Sequence, residues 1–251
     1  MSFQTSAQTV INSDISPEIQ TANNEFEDFI YLISHDVRNS VRALIELPQW
    51  ISEDLGEAGV KVDGSVAESI ALMNKHTGRL DRMLVDLLSF SRVGRMQETV
   101  EVELDVALTE VLDEVRLPPG FQLIPALDAN TIEMGERDIL TLLSSLISNA
   151  VKHHDRATGK IAVAVREEDK SIYIEISDDG PGIPPIYAER VFGAMTTLRP
   201  RDEVEGSGMG LAIVQKIIRF YGGSIALSDG LSGRGTTVSL QLPKTVNRSA
   251  L

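Results

Sequence analysis

Apolar residues between positions 23 and 95 recur at spacings of three and four, which is the period of an amphipathic helix. The first stretch predicts a helix from residue 23 to about 55, with a bend at Pro48 because proline removes a backbone donor. Glycines within 56–64 predict a loop, and a second periodic stretch predicts another helix that ends near Gly94. The apolar stripe of the first helix comprises Phe26, Phe29, Ile30, Ile33, Val37, Val41, Leu44 and Leu47.

Two long helices joined by one loop form a hairpin, and the apolar faces of these two helices are too wide to cover each other. Pairing two such hairpins buries both faces in a four-helix bundle. We therefore expect residues 23–95 to form a homodimer. The alternative is a monomeric hairpin that packs against the rest of the chain.

After Gly94 the pattern changes to a mixture of alternating and helical segments. Strands are predicted at 99–104, 121–125, 131–134, 160–166, 171–177, 224–228 and 236–242, and helices at 106–115, 136–154 and 210–221. These elements predict an α/β sandwich over residues 98–245, with one mostly antiparallel sheet and helices on one face. The whole chain is then α+β, with a polar, flexible lead at 1–22, the helical hairpin at 23–95 and the sandwich at 98–245.

Composition narrows the classes of function. The formal net charge of −14 argues against non-specific binding to nucleic acid or to anionic membranes, which requires a basic surface. The chain has no cysteine, no apolar run near the ~20 residues of a membrane-spanning helix and no signal peptide at its start. We therefore expect a cytoplasmic protein, and any anionic ligand must find a local cation, Mg²⁺ or backbone N–H groups.

The first candidate site follows the strand predicted at 171–177. That strand ends in Asp178, and Gly180 and Gly182 come directly after it. A carboxylate at a strand end suits an exocyclic amino group such as that of adenine, and glycines allow close approach of a ligand. Alone, the pattern is equally typical of an acidic turn after an edge strand.

A second glycine-rich stretch and a polar helix end add to this site. Gly206, Gly208 and Gly210 run into a helix, and backbone N–H groups at a helix N-terminus favour phosphate, although glycine often precedes a helix. Asn149 and Lys152 are three residues apart and share one helix face. An amide oxygen suits Mg²⁺ and a lysine offsets phosphate charge, whereas the simplest interpretation is a solvated helix end.

The three stretches, in this order, resemble the N, G1 and G2 boxes of the ATP-binding domain shared by histidine kinases, Hsp90, MutL and type II topoisomerases. The resemblance covers roughly residues 98–245. It implies that ATP binds here with Mg²⁺, that Asn149 holds the metal and that Asp178 contacts adenine. The residues expected at the nucleotide site are Asn149, Lys152, His153, Asp178, Gly180, Gly182, Ile183, Phe192, Arg199, Arg201, Gly206, Ser207, Gly208, Met209, Gly210 and Leu211.

The resemblance also defines a lid at residues 193–205 and includes two departures. Arg199 and Arg201 in the lid are candidates for phosphate contacts, or else two exposed loop residues, and the lid resembles that of phytochrome-like kinases. Ser145 stands where the N box usually has a second amide, and Asp179 stands where G1 usually has asparagine. Either departure is expected to weaken nucleotide affinity.

A histidine in the first helix is the candidate phosphoacceptor. His35 is followed by Asp36, and a carboxylate beside an imidazole fixes its tautomer and takes up proton charge. The segment resembles the H box of histidine kinases, which implies His35 as phosphoacceptor, Asp36 as general base and Asn39 as the residue that orients water for dephosphorylation of a partner. Taken alone, Asn39 is a simple polar helix residue. Ser40 replaces the usual proline, so the helix is expected to bend less after His35.

Together these features predict a homodimeric sensor histidine kinase that passes phosphate from His35 to an aspartate of a response regulator receiver domain, with a phosphatase activity that would depend on Asn39. A sensor domain is expected either upstream or on a separate protein. One alternative is a non-catalytic phosphotransfer or adaptor protein with a kinase-like fold. The other is an ATP-driven clamp of the Hsp90 or MutL type, which has no use for the His35 hairpin.

Overall fold

The computed structural model of the chain describes residues 17–95, 97–200, 203–204 and 206–244, and of these only the backbone at 17–27, 35 and 232. Two long helices, α1 (Pro17–Glu57) and α2 (Gly64–Arg92), form an antiparallel hairpin. α1 begins at Pro17 rather than at residue 23, since proline is well tolerated in the first helical turn, and it continues through Pro48. Residues 1–16 of the expected lead lie outside the described residues.

Side-chain pairs set the register of the hairpin. Arg38 Nε lies 3.4 Å from Asp81 Oδ1, and Arg92 Nη2 lies 3.4 Å from the hydroxyl of Tyr31. Few large side chains are buried between the helices, among them Val41 and Leu88. Most of the apolar stripe therefore faces away from the rest of the chain.

The remaining elements alternate strands and helices. They are β1 (Thr99–Glu103), α3 (Leu104–Val115), β2 (Phe121–Leu127), β3 (Thr131–Gly135), α4 (Glu136–Lys152), β4 (Gly159–Glu168), β5 (Ser171–Asp178), α5 (Gly210–Phe220), β6 (Ser224–Asp229) and β7 (Thr236–Pro243). Short 3₁₀ turns lie at Pro185–Tyr187, Arg190–Phe192 and Leu231–Gly233.

The strands form two sheets, so the prediction of a single sheet is wrong. A five-stranded sheet has the order β2-β4-β5-β7-β6, in which β2 and β4 are parallel and the other neighbours are antiparallel. β1 and β3 instead pair with each other as a separate antiparallel ribbon. Each of these two strands runs directly into a helix, α3 or α4. Alternation in a sequence marks the buried face of a strand but does not identify the strand that pairs with it.

The core lies between one face of the larger sheet and the three helices α3, α4 and α5. Ile161, Val163 and Val165 of β4 are buried, as are Ile172 and Ile174 of β5, while the residues between them are more exposed. Period-two burial of this kind is the signature of a sheet with one covered face. The chain thus has the predicted α+β class, a helical region followed by a two-layer α/β sandwich.

A polar network joins the end of α2 to the sandwich. The buried carboxylate of Asp138 accepts hydrogen bonds from the Gly94 N–H and from the Tyr221 hydroxyl, both at 2.9 Å. The Tyr221 hydroxyl in turn accepts the N–H of Gly135 at 2.9 Å. Burial, followed by the charge of Asp138, raises the pKa of Tyr221 well above its usual value. The connection after α2 is therefore held at a defined place on α4 and α5.

Within the described part of the chain, no helix combines the length and apolar character needed to cross a membrane.

Candidate functional site

A cavity of about 650 Å³ lies where the C-terminal part of α4, the end of β5 and the N-terminus of α5 meet. The segment before α5 covers another side, and one face of α2 forms a further wall. Twelve of the residues expected at the nucleotide site line this cavity: Asn149, Lys152, His153, Asp178, Gly182, Ile183, Arg199, Gly206, Ser207, Gly208, Gly210 and Leu211. The tertiary fold thus brings three separate sequence stretches to one cavity.

Asp178 lies at the end of β5 with one carboxylate oxygen committed to the protein. Its Oδ1 accepts the N–H of Gly180 at 2.8 Å and the N–H of Thr236 at 3.2 Å. Both hydrogen bonds that Asp178 makes with described residues use Oδ1, which leaves Oδ2 for a ligand. Burial raises the pKa of Asp178 and outweighs the two backbone hydrogen bonds, which lower it. The carboxylate is therefore oriented by its own backbone turn and partly desolvated.

Tight backbone packing around Asp178 explains the need for glycine on both sides of it. Gly235 has φ of +87°, and a Cβ there would come within 2.0 Å of the Asp178 carbonyl oxygen. A Cβ at Gly182 would come within 2.8 Å of the Gly235 carbonyl oxygen. A side chain at either position would push the strand ends apart and displace the carboxylate.

The last turns of α4 supply an amide, a cation and an imidazole. A Cβ added at Gly210 would lie 3.3 Å from Asn149 Nδ2, so the amide sits directly against the N-terminus of α5. The burial of part of the ring, followed by the positive charges of Arg199 and Lys152, lowers the pKa of His153. The neutral form of His153 is therefore favoured, beside two cations in a strongly acidic chain.

The side chain of Asn149 fits a magnesium ion whose other ligands would be nucleotide phosphates and water. In the described residues its side-chain amide makes no hydrogen bond, and it faces a cavity with room for water. Mg²⁺ prefers oxygen ligands and keeps several waters, so one amide oxygen is a sufficient protein ligand. No cluster of three or more histidine, aspartate or glutamate side chains suited to a metal occurs in the described ranges.

The lid segment closes onto a glycine turn. Gly208 has φ of +77°, and a Cβ there would come within 2.6 Å of the Thr196 carbonyl oxygen. Ser207 Oγ accepts the Met209 N–H at 3.0 Å, which shapes the turn into α5. Arg199 lines the cavity, whereas Arg201 lies outside the described residues.

Three expected site residues lie elsewhere. Met209 is buried in the core, so its side chain does not line the cavity; the turn that brings Gly208 against the lid turns the Met209 side chain inward. Gly180 and Phe192 are not among the described residues that line the cavity. Gly180 instead donates its N–H to Asp178, and a Cβ there would meet the same Oδ1 at 2.9 Å.

Asp179, the departure in the G1 box, belongs to a structural network and does not line the cavity. Its Oδ1 accepts the Lys160 N–H at 2.7 Å and lies 3.1 Å from His154 Nε2. The Arg156 N–H donates to His154 Nδ1 at 3.0 Å. In this tautomer the hydrogen is on Nε2, which donates a hydrogen bond to Asp179 Oδ1. Desolvation raises the pKa of Asp179, but these hydrogen bonds outweigh it and hold the pKa below its usual value. Asp179 thus anchors the loop after α4.

Sequence reasoning missed two parts of the cavity wall. Thr236 lines it from the start of β7, and its signal was the glycine-bracketed Gly233-Arg234-Gly235 before that strand. Arg82, Val85 and Asp86 line it from α2, and nothing in their local pattern separates them from a solvated helix face.

The candidate phosphoacceptor segment lies within α1, and its residues are not among the described residues that line the cavity. The backbone of residue 35 is helical, and Asp36 and Asn39 are exposed. The helix runs unbroken past Ser40, whose Oγ donates to the Asp36 carbonyl oxygen at 3.5 Å. The structure thus separates an exposed helical segment from a concave polar site.

Comparisons with known proteins agree with this arrangement. Residues 134–246 match the family described as histidine kinase-, DNA gyrase B- and HSP90-like ATPase. The chain is 32% identical over 235 residues to the methanogenesis regulatory histidine kinase FilI of Methanothrix harundinacea, covering 90% of this chain and 25% of FilI. It is 26% identical to the sensor histidine kinase WalK of Bacillus subtilis, covering 90% of this chain and 38% of WalK. The chain thus spans well under half the length of these relatives.

Solved structures share the fold. Full-length ShkA in complex with AMPPNP is 20% identical, with a TM-score of 0.66 over 89% of this chain and 47% of ShkA. Histidine kinase ThkA in complex with the response regulator protein TrrA is 17% identical, with a TM-score of 0.59 over 94% of this chain and 69% of that one. At these identities the likeness is one of fold.

Proposed function

We propose that the chain is part of a sensor histidine kinase of a two-component system, as its similarity to histidine kinases supports, and that it transfers the γ-phosphoryl group of ATP to His35 and then to an aspartate of a response regulator. The observation that carries this proposal is the cavity in which Asp178, Asn149, Lys152 and the N-terminus of α5 meet beside the hairpin that bears His35.

Adenine would bind at the Asp178 end of the cavity. Oδ1 is held by two backbone N–H groups, so Oδ2 is fixed in position to accept the exocyclic amino group of the base. Thr236 and Ile183 line the same cavity and offer a hydroxyl and an apolar contact. This arrangement distinguishes adenine from a base that presents a carbonyl oxygen at the same place.

The phosphates would lie at the α5 end. The backbone N–H groups at a helix N-terminus favour anions, and Lys152 and Arg199 add positive charge beside them. Mg²⁺, held by Asn149, would neutralise charge on the phosphate oxygens as it develops during transfer. The protein's contribution is to position the triphosphate and exclude water.

The chemical step is an in-line displacement at phosphorus. One ring nitrogen of His35 attacks the γ-phosphorus, the bond to the β–γ bridging oxygen breaks, and ADP leaves with the electron pair. Asp36 would act as the general base that accepts the proton from the other ring nitrogen. The phosphoryl group then passes to an aspartate carboxylate of the receiver domain, and Asn39 would orient water for its later removal. The solved complex of ThkA with its response regulator supports a partner of this kind.

The active unit would be a homodimer through the hairpin. Phe29, Ile33 and Leu44 on α1 and Leu72 and Leu80 on α2 remain exposed in the single chain. A second hairpin would cover these side chains and complete a four-helix bundle over residues 23–95, with the ATP-binding domain at 98–245. The adaptor alternative is less favourable because its proteins would not need a polar cavity of this size.

Acid-labile phosphate is the test. The full chain is incubated with Mg²⁺ and ATP labelled on the γ-phosphate, and the label is tested for loss in acid and retention in base. The wild type and His76→Ala, which removes another hairpin histidine, should gain the label, and His35→Ala should gain none while still binding ADP. Acid-labile label on His35→Ala would exclude His35 as the acceptor.

A further inference from the structure

We propose that Arg82 of α2 contacts the terminal phosphates of the bound nucleotide, so that the hairpin itself supplies part of the ATP site. The inference rests on the proposed function and adds to it a binding residue outside the ATP-binding domain. Its starting point is the wall of the cavity that α2 forms.

Three residues of α2 build that wall. Val85 and Asp86 come three and four residues after Arg82, so both neighbour Arg82 on one face of α2. All three line the cavity together with the glycine turn before α5 and the lid segment. The face of α2 that carries Arg82 is therefore turned toward the nucleotide site.

The packing of α5 along α2 places Arg82 at the phosphate end. Lys216 Nζ donates to the Phe90 carbonyl oxygen at 2.7 Å. One turn further on, a Cβ added at Gly94 would overlap the Phe220 ring at 2.2 Å. Both helices therefore advance in the same direction with the same rise. Extending this register two turns back from the contact of Lys216 with Phe90 brings the glycine turn at Gly208 level with Arg82.

A cation on the α2 wall would offset the negative charges that line the cavity. Asp86 and Glu203 both line the cavity, and each repels a triphosphate. Lys152 and Arg199 approach from α4 and from the lid, so neither of them covers the α2 side. A guanidinium on α2 has the fork of donors that matches phosphate oxygens.

The register of the hairpin puts the acceptor segment close to the level of Arg82. Tyr31 pairs with Arg92 and Arg38 pairs with Asp81, so the backbone of residue 35 lies between these two pairs along α2. Asp86 stands midway in that interval. The acceptor segment is therefore level with a point about one helical turn beyond Arg82, so Arg82 and the acceptor segment occupy neighbouring levels of the hairpin.

A contact from α2 to the terminal phosphate predicts a difference between the affinities for ATP and for ADP. ATP would be held by both parts of the molecule and ADP mainly by the ATP-binding domain. Removing Arg82 should therefore weaken ATP more than ADP, which a general loss of structure would not do.

The experiment measures the affinity of the full chain for a non-hydrolysable ATP analogue and for ADP, each with Mg²⁺. Arg82→Ala should weaken the analogue by roughly tenfold or more, the order expected for a lost charge-assisted hydrogen bond. Its ADP affinity should stay within about twofold of the wild type, which also shows that the cavity is folded. Arg82→Lys should fall between the two, because it keeps the charge but loses the fork.

Arg79→Ala is the matched control, since Arg79 lies one turn earlier on α2 and is not among the described residues that line the cavity. It should bind both nucleotides as the wild type does. Unchanged analogue affinity in Arg82→Ala, an equal loss for ADP, or the same loss in Arg79→Ala would each overturn the inference. A wild-type chain that binds neither nucleotide would instead refute the proposed function.

Discussion

The hairpin and the sandwich treat their large apolar side chains in opposite ways. Leu32 and Leu72 in the hairpin are 63% and 54% exposed, whereas Leu142 and Ile217 in the sandwich are 0% exposed. The sandwich closes its core with its own three helices, and polar groups converge on a cavity beside that core. The hairpin has two helices, and among the described residues no third element covers its apolar stripe. An apolar face of this kind indicates association, while a polar cavity in a closed core indicates a ligand.

The polar contacts of the two regions differ in the same way. Between α1 and α2 the pairs are partly exposed, such as Arg38 with Asp81, and pairs of this kind contribute little to stability. In the sandwich, Asp138 and Tyr221 are buried and hydrogen-bonded to backbone groups. Loss of one buried partner leaves the other unsatisfied. The fold of the sandwich therefore depends on its buried contacts. The contacts within the hairpin are weaker, and its exposed apolar side chains are left for a partner.

A charge among the exposed apolar side chains of the hairpin should have the largest effect. Leu72→Glu should abolish dimer formation, because a carboxylate in the core of a four-helix bundle would be desolvated without a partner. Asn74→Glu, two residues on and so on another face of α2, should leave the dimer intact. The molar mass in solution distinguishes these results. A dimeric Leu72→Glu chain would show that the exposed apolar side chains of the hairpin do not form the interface.

The same substitution in the two regions should differ in its cost. Leu142→Ala removes a fully buried side chain and should lower the free energy of unfolding by about 3 kcal/mol. Leu32→Ala should lower it by less than about 1 kcal/mol at protein concentrations where the chain is monomeric. Its cost should grow with concentration, since dimer formation stabilises the folded chain. Equal costs at low concentration would contradict the comparison.

The ligand site of the sandwich should depend on one carboxylate oxygen. Asp178→Asn keeps Oδ1 for the two backbone N–H groups but replaces Oδ2 by a donor, which faces the donor amino group of adenine. Affinity for the ATP analogue should fall roughly ten- to hundredfold, the size of a lost hydrogen bond to a charged group. Asp179→Asn, beside it but outside the cavity, should bind almost as the wild type does. If both variants bind alike, Oδ2 is not the adenine contact.

The smallest effect should be a pH dependence of binding at His153. Its pKa lies below 6.5 in the free protein because of burial and the nearby Arg199 and Lys152. Bound phosphates would favour the protonated ring and raise this pKa, so affinity should increase by less than about tenfold as pH falls from 7 toward 6. His153→Gln should lose this part of the increase and keep the part that arises from the nucleotide itself. Identical pH profiles would place the ring away from the phosphates.

The sequence was informative about faces and less informative about partners. Helical periodicity predicted the hairpin and its uncovered stripe, because the spacing of apolar residues directly records which side of a helix is buried. Alternation located β1 and β3 but placed them in the wrong sheet. Strand pairing depends on how α3 and α4 pack, and no single strand records that.

The same limit applies to the cavity. Asp178, Asn149 and the glycines before α5 could be predicted because each has a recognisable local setting in the sequence. Asp178 ends a strand, Asn149 lies near a helix end and the glycines precede a helix. Arg82 could not be predicted, since its place on the wall follows from α5 lying along α2. Asp179 was expected to affect the nucleotide, but its partners His154 and Lys160 are distant in sequence, and the network they form turns it away.

The fixed connection after α2 has a mechanical consequence. Gly94 is tied to Asp138 by its N–H and is pressed against the Phe220 ring, so the few residues that leave α2 contain no slack. A small rotation of α2, or a shift along its axis, would therefore move the whole sandwich as one body. Insertions or deletions between residues 93 and 98 should therefore be tolerated far worse than those in the loop between α1 and α2. A longer connection would leave the hairpin and the sandwich folded, but movements of α2 would no longer change the position of the nucleotide site.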